Sequence, residues 1–126
     1  MTYLAAPDGK WAIEGGMTVA LGMTAGFQSA SGRDLKSVTD QVIGDLQDAN
    51  PGVRVLARQP TRLSGLAAES VLIEEPSPIR GETERSWVVT TLRGGQVFFV
   101  ALTSPIRDYD ELRGLFSQIM ASVRLR

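Results

Sequence analysis

The sequence predicts a single α+β domain in which an antiparallel β-sheet meander is flanked by two helices, forming an α/β/α sandwich. The chain has 126 residues, 43% of them hydrophobic, which suits one hydrophobic core. Two segments have apolar residues at helical spacing, and the segments between them have the alternation and the turn residues of strands. One predicted hairpin is apolar on both sides, so both faces of the sheet must be covered.

The first third of the chain is predicted to contain strands. Residues 3–6 and 11–13 are short candidates on either side of a Pro-Asp-Gly-Lys turn, and residues 17–27 form a longer one interrupted by two glycines. The glycines of this region do not form a phosphate-binding loop, because no Gly-Lys-Ser/Thr sequence ends the run. We interpret them as bends and bulges, and no cofactor is predicted.

A first helix is predicted from Leu35, with Asp34 as its N-cap, to Asn50. It cannot continue further, because Pro51 has no backbone N–H and also restricts the residue before it. The apolar residues of this segment follow helical spacing: Leu35, Val38, Val42, Ile43, Leu46 and Ala49.

Four further strands are predicted after this helix, at 53–58, 67–75, 82–92 and 97–104. They are separated by turn residues, which predicts a meander. The Gly94-Gly95 turn suits a two-residue hairpin. Counting back from it predicts three cross-strand pairs: Leu92 with Val97, Val89 with Val100, and Trp87 with Leu102.

The second helix is predicted to begin at Asp108, which stands three residues before Glu111 in an Asp variant of the capping box. One apolar stripe follows: Leu112, Leu115, Phe116, Ile119, Met120 and Val123. We expect Phe116 and Trp87 to be buried in the core.

Composition excludes several classes of function. Lys and Arg number 13 against 14 Asp and Glu, so the chain lacks the basic excess of a nucleic-acid binder. It has no Cys and no His, which removes thiolate ligands, Ser-His-Asp triads and HExxH zinc sites. No catalytic residue and no metal site are therefore predicted. No apolar run reaches the roughly 18 residues of a membrane span, and residues 1–10 lack the pattern of a signal peptide.

The candidate interaction residues are aromatic or charged: Trp11, Arg80, Glu82, Arg85 and Trp87. The two tryptophans could line a ligand groove, although Trp87 is placed on the core face of the predicted hairpin. The two arginines could grip an anionic group, but their acidic neighbours favour ordinary surface ion pairs.

Five glutamates cluster around the loop at 76–81: Glu69, Glu74, Glu75, Glu82 and Glu84. Such a cluster could form an acid-base pair or a calcium site. No Asp-rich calcium loop accompanies it, and consecutive residues of a strand point to opposite faces. We therefore interpret these residues as solvated strand ends.

Five segments of the sequence share a family pattern: "GGMTVALGMTAGF", "DLQDANPGVRV", "SGLAAESVLIEE", "ERSWVVTTLRGGQVFFVALTSP" and "YDELRGLFSQIMASVRL". Together they resemble Mog1/PsbP-like domains. More narrowly, the chain is similar to the C-terminal domain that follows the catalytic domain in some bacterial HtpX-like zinc metallopeptidases, and to related envelope proteins. These motifs are architectural, so the resemblance implies no catalytic residue. It implies a location in the cell envelope or outside the cell.

Domains of this family usually begin with an additional strand pair, ahead of the segment that corresponds to Tyr3. The chain has no room for this pair, so we expect an excised or naturally shortened form of the domain. An uncovered sheet edge tends to be paired by another chain, so we predict a homodimer through the N-terminal third.

Two functions remain open from the sequence. The leading hypothesis is a non-catalytic interaction or substrate-positioning domain that works with an envelope peptidase, in cis or in trans. The alternative is a small-ligand-binding module with a pocket between the sheet and a helix, near Trp87 or Trp11.

Overall fold

The fold is described by a computed structural model for residues 2–4, 22–30, 34–77 and 80–125. These residues form six strands and two helices, in the order β1 (Thr2–Leu4), β2 (Gly22–Ser29), α1 (Leu35–Ala49), β3 (Arg54–Leu63), β4 (Leu66–Pro76), β5 (Thr83–Arg93), β6 (Gln96–Pro105) and α2 (Ile106–Ser122). The predicted strand at 11–13 and the first part of the predicted strand at 17–27 lie outside the described residues.

The six strands form one antiparallel sheet in the order β1-β2-β6-β5-β4-β3. The predicted meander from β3 to β6 is confirmed, and β2 adds to it by pairing with β6. The predicted register of the β5–β6 hairpin is also confirmed, since Trp87 pairs with Leu102 and Val89 with Val100. Both turn residues have positive φ, at 57° for Gly94 and 79° for Gly95, as a primed hairpin turn requires.

Each face of the sheet is covered by one helix, as the apolar hairpin predicted. On the first, which we call the α1 face, Val38, Val42 and Ile43 of the helix meet strand residues such as Val88 and Val97. On the opposite one, the α2 face, buried residues of α2 pack on the sheet: Tyr109, Phe116 and Met120 against Val89, Val100 and Leu102. The predicted α+β sandwich is therefore confirmed.

The two helices begin differently. Helix α1 has the predicted cap, since the Ser37 N–H donates to Asp34 Oδ1 at 2.7 Å, and this bond holds the pKa of Asp34 below its usual value. The predicted start of α2 at Asp108 was wrong. Pro105 occupies the cap position without a side-chain hydrogen bond, and Asp108 lies in the first turn. Pro105 ends the strand and directs the chain into the helix three residues before the predicted cap, and in the first turn Asp108 is still near the positive end of the helix dipole.

No helix within the described ranges is both long enough and apolar enough to cross a bilayer.

Replacing Gly114 by alanine should raise the free energy of unfolding by about 0.5 to 1 kcal/mol, because glycine inside a helix costs conformational entropy. A Cβ at this position in α2 would have no atom within 4 Å. Urea unfolding measures the change. Gly65→Ala is the control, because Gly65 also faces open space but has a φ of 77° and should lose stability. A gain at both positions would contradict this explanation.

A candidate binding groove between the sheet and helix α2

A groove of about 250 Å³ lies on the α2 face, with a floor of strand residues and a wall formed by α2. It exists because α2 packs mainly against β6 and β5. At one end of this face Leu63 and Ala68 are buried with α2, whereas at the other end Ala57 and Gln59 stay exposed. The groove is lined by seven residues: Ala57, Gln59, Ser70, Leu72, Trp87, Arg113 and Ser117.

The strand register explains why the floor residues lie together. Ala57 pairs with Leu72, which pairs in turn with Trp87 on the next strand. Gln59 pairs with Ser70 two positions along. Because alternate residues of a strand share a face, all five side chains are on the α2 face.

Trp87 lies in the floor of this groove and is only partly buried, so the prediction that it is a buried core residue was wrong. The strand alternation placed it on the correct face, but α2 does not extend far enough to cover it. Its indole Nε1–H donates to Ser70 Oγ at 2.7 Å, which fixes the orientation of the ring. A partly exposed indole held in this way offers an apolar surface without needing to rearrange.

The groove has a positive character. Arg113 is the only charged residue among those that line it, and its Nη1 is 4.0 Å from Asp110 Oδ1, with both side chains well exposed. Such an exposed pair is weak. Beyond Leu72 lies Glu74, which accepts from Arg54 Nη2 at 3.0 Å and from Arg85 Nη2 at 2.6 Å. Because Arg54 and Arg85 share the single carboxylate of Glu74, this group of three residues has a net positive charge next to the groove.

The groove opens toward β3, which is an edge strand of the sheet. Three consecutive apolar residues of this strand, Val55 to Ala57, are exposed, and the register shifts between the first and last of them. Among the strands that the structure describes, none pairs with the outer edge of β3. An unpaired edge is a template for another extended chain, although the bulge and Pro60 shorten the part available.

The candidate residues from the sequence are only partly brought together. Trp87 lines the groove and Arg85 lies beside it, where its guanidinium also stands 5.3 Å from the centre of the Tyr109 ring. Arg80 is exposed in the turn before β5, and Glu82 is ion-paired to Arg107 at 2.7 Å, away from the groove. Trp11 lies outside the described residues.

Of the seven groove residues, sequence reasoning named only Trp87 as a candidate and missed the polar ones, including Gln59, Arg113 and Ser117. A signal for the last two was present, because positions four apart on a helix lie on the same side. They flank the apolar stripe of α2 that contains Phe116. Whether that flank of α2 faces a strand or open space depends on where α2 lies across the sheet. The spacing of apolar residues in the sequence does not determine this position.

The glutamate cluster divides into two kinds. Glu69, Glu74 and Glu82 each have an arginine partner, the first of them Arg58. Glu75 and Glu84 form no ion pair among the described residues. Glu74 is 8% exposed and Glu84 only 1%, so the interpretation of these two as solvated strand ends was wrong. Burial and the neighbouring Glu75 raise the pKa of Glu84 to about 7. Within the described part of the chain, no group of three or more His, Cys, Asp or Glu could hold a metal ion.

No protein-family model matches the chain, and no curated protein matches it. Solved structures do. A Pseudomonas aeruginosa protein of unknown function, PA94, suggested to be a regulator, superposes with a TM-score of 0.75 at 15% identity, covering 99% of this chain and 82% of that one. The cyanobacterial PsbP protein of Synechocystis, CyanoP, superposes with a TM-score of 0.62 at 12% identity, covering 96% and 79%. At such low sequence identity, the superpositions show the fold alone. The match with CyanoP confirms the PsbP-like fold that the sequence motifs resembled.

Proposed function

We propose that the chain is a non-catalytic interaction domain that holds a segment of a partner polypeptide in the groove between the sheet and α2. The observation that carries this proposal is the groove itself, which contains the partly exposed Trp87 and reaches β3, an edge strand that has no outer partner among the described strands. Pockets and open edges of this kind are where extended peptides bind to sheets.

The size and shape of the groove favour a polypeptide over a small molecule. Its volume of about 250 Å³ is below the roughly 300 to 1,000 Å³ of typical small-molecule sites, which also bury most of their ligand. A groove open toward β3 instead suits one or two side chains of an extended segment. The main chain of that segment would lie along the edge of β3 at residues 57–59, between the bulge and Pro60.

The chemistry of the lining favours a partner segment with a carboxylate next to an apolar side chain. Arg113 has only a weak exposed partner, so its guanidinium is free to bind a carboxylate in a bidentate manner. Ala57, Leu72 and Trp87 supply the apolar contact. No acidic residue is among those that line the groove. The carboxylate shown next to Arg113 is that of Asp110, which is well exposed and outside the lining, so its repulsion of an acidic segment is weakened by solvent.

The alternative function, a small-ligand-binding module, is supported by a different observation. Gln59, Ser70 and Ser117 place an amide and two hydroxyl groups around the indole of Trp87. Convergent polar groups around an aromatic wall are the arrangement found in small-ligand sites.

The association with a peptidase and the homodimer stay predictions from the sequence. Association with a bacterial envelope peptidase, in cis or in trans, rests on the sequence resemblance, and under it the bound segment would be a substrate positioned for cleavage. The homodimer through the N-terminal third rests on the strand pair that the family usually adds.

Selection from a random-peptide display library against the purified protein tests the proposed function. We expect enriched peptides that combine an acidic with an apolar residue, and Ser117→Tyr should weaken their binding about tenfold or more by filling the groove. Gln118→Tyr is the matched control, because Gln118 is the next residue of α2, is exposed and does not line the groove.

Equal binding to the two tyrosine variants would contradict the groove as the peptide site. If no peptide is enriched but indole-3-acetate binds the wild type and not Ser117→Tyr, the alternative function is the correct one.

A further inference from the structure

Two glutamates lie opposite each other on the α1 face, where β4 ends and β5 begins. Glu75 and Glu84 are direct partners in the β4–β5 register. Side chains opposite each other in an antiparallel pair have Cβ atoms about 4.5 to 5.5 Å apart, and like charges in such a pair repel. Two ionised carboxylates are therefore unfavourable at this position.

In the described part of the chain, no Lys or Arg forms an ion pair with either glutamate. Glu84 is 1% exposed, and its Oε2 atom is buried without a hydrogen-bond partner in the described structure. The partner of Glu84 on β6 is Pro105, which carries no charge. Arg85, the residue after Glu84, is on the opposite face of the sheet, where it pairs with Glu74. From the end of α1, the facing group is the neutral amide of Asn50, whose Nδ2 donates to Glu75 Oε2 at 3.2 Å.

Asn50 connects this pair to the turn between α1 and β3. Its Oδ1 accepts from the Gly52 N–H at 3.1 Å, its carbonyl accepts from the Val53 N–H at 3.0 Å, and its own N–H donates to Leu46 at 2.9 Å. The side chain of Glu75 is thus bonded to the residue that ends α1 and organises the turn before β3.

We propose that Glu75 and Glu84 together hold one proton near neutral pH, and that loss of this proton loosens the turn at residues 50–53. With the proton present, Glu84 is neutral and Glu75 can keep its bond to Asn50. When both are charged, repulsion moves the more exposed Glu75 away from Glu84, and the bond to Asn50 is lost. The pair is then a proton-binding site that acts on the start of β3.

The electrostatics of both groups agree with this geometry. Burial is the main cause that raises the pKa of Glu75, opposed by the hydrogen bond from Asn50. Burial also raises the pKa of Glu84, with the charge of Glu75 as the second cause. Since the two groups interact, their protons leave in steps that belong to the pair.

The site has a consequence for the groove if the proposed function is correct. β3 also supplies Ala57 and Gln59 of the groove. A proton at the pair would then keep the outer strand of the binding surface ordered, and binding would weaken as the pH rises.

Carbon-13 NMR of the glutamate carboxyl groups from pH 4 to 9 tests the proton site. We expect the Glu84 signal to titrate with a midpoint near 7, and the Glu75 signal to shift over the same range. Hydrogen exchange tests the effect on the turn. After correction for the intrinsic pH dependence, exchange of the Gly52 and Val53 amides should accelerate about tenfold between pH 6 and 8.5, by local opening.

Glu84→Gln should make exchange at the turn independent of pH in this range, whereas Glu82→Gln, outside the pair, should behave as the wild type. Midpoints at or below about 5 for both carboxyl groups of the wild-type protein would overturn the proposal. So would turn exchange that does not change while Glu84 titrates. The wild-type titration decides the matter even if Glu84→Gln fails to fold, and neither measurement depends on peptide binding.

Discussion

Truncating Phe116 to alanine should lower the free energy of unfolding by about 3 to 5 kcal/mol, since Phe116 is the largest fully buried side chain of the core and its loss leaves a cavity. It is 1% exposed and packs edge-on against Tyr109, with ring centroids 5.8 Å apart. The surrounding core residues come from strands held by hydrogen bonds, so they can close only part of the cavity.

Urea unfolding followed by circular dichroism measures this loss, with Gln118→Ala as the control. Gln118 is exposed on the same helix, so its truncation should change stability by less than about 0.5 kcal/mol. A loss below about 1 kcal/mol for Phe116→Ala would mean that α2 does not cover this face of the sheet in solution.

Stability should fall by about 3 kcal/mol between pH 4.5 and pH 8 as Glu84, which is coupled to Glu75, loses its proton. Its pKa is raised by burial and by Glu75 from 4.5 to about 7, and each unit corresponds to about 1.4 kcal/mol. The folded state binds this proton more tightly than the unfolded state does. The stabilisation is therefore fully present below about pH 4.5 and is lost as the pH rises through 7.

Comparison of the wild type with Glu84→Gln isolates this effect from the other titrating groups. The free energy of unfolding of the variant, relative to the wild type, should increase steadily from pH 4.5 to 8. A constant difference over that range would show that Glu84 has an ordinary pKa in the folded protein.

The local elements could be predicted from the sequence because their signals are short-range. The N-cap Asp34 and the helical spacing of the apolar residues after it identified α1. The glycine pair at 94–95 determined the register of the β5–β6 hairpin. That hairpin is apolar on both sides, so it also required a helix on each face. The fold class followed from these few residues.

The candidate site could not be predicted in the same way, since it depends on how elements are placed relative to one another. Trp87 was assigned to the correct face, but its exposure depends on how far α2 extends across the sheet. Glu84 shows the same dependence, because its burial between β4 and β6 arises from tertiary packing and no local pattern distinguishes it from Glu82. Alternation gives the face of a residue, and tertiary packing gives its environment.

The most direct test of the groove as an interaction surface is proton–nitrogen NMR of the labelled protein during addition of a peptide enriched by the display selection. The indole N–H of Trp87, which is bonded to Ser70 Oγ, is the reporter, and a Trp11→Phe variant assigns its signal. The groove proposal predicts that this signal shifts together with the amides of Ala57, Gln59 and Ser117. Shifts confined to α1 or β2, with the Trp87 indole unchanged at saturating peptide, would contradict it.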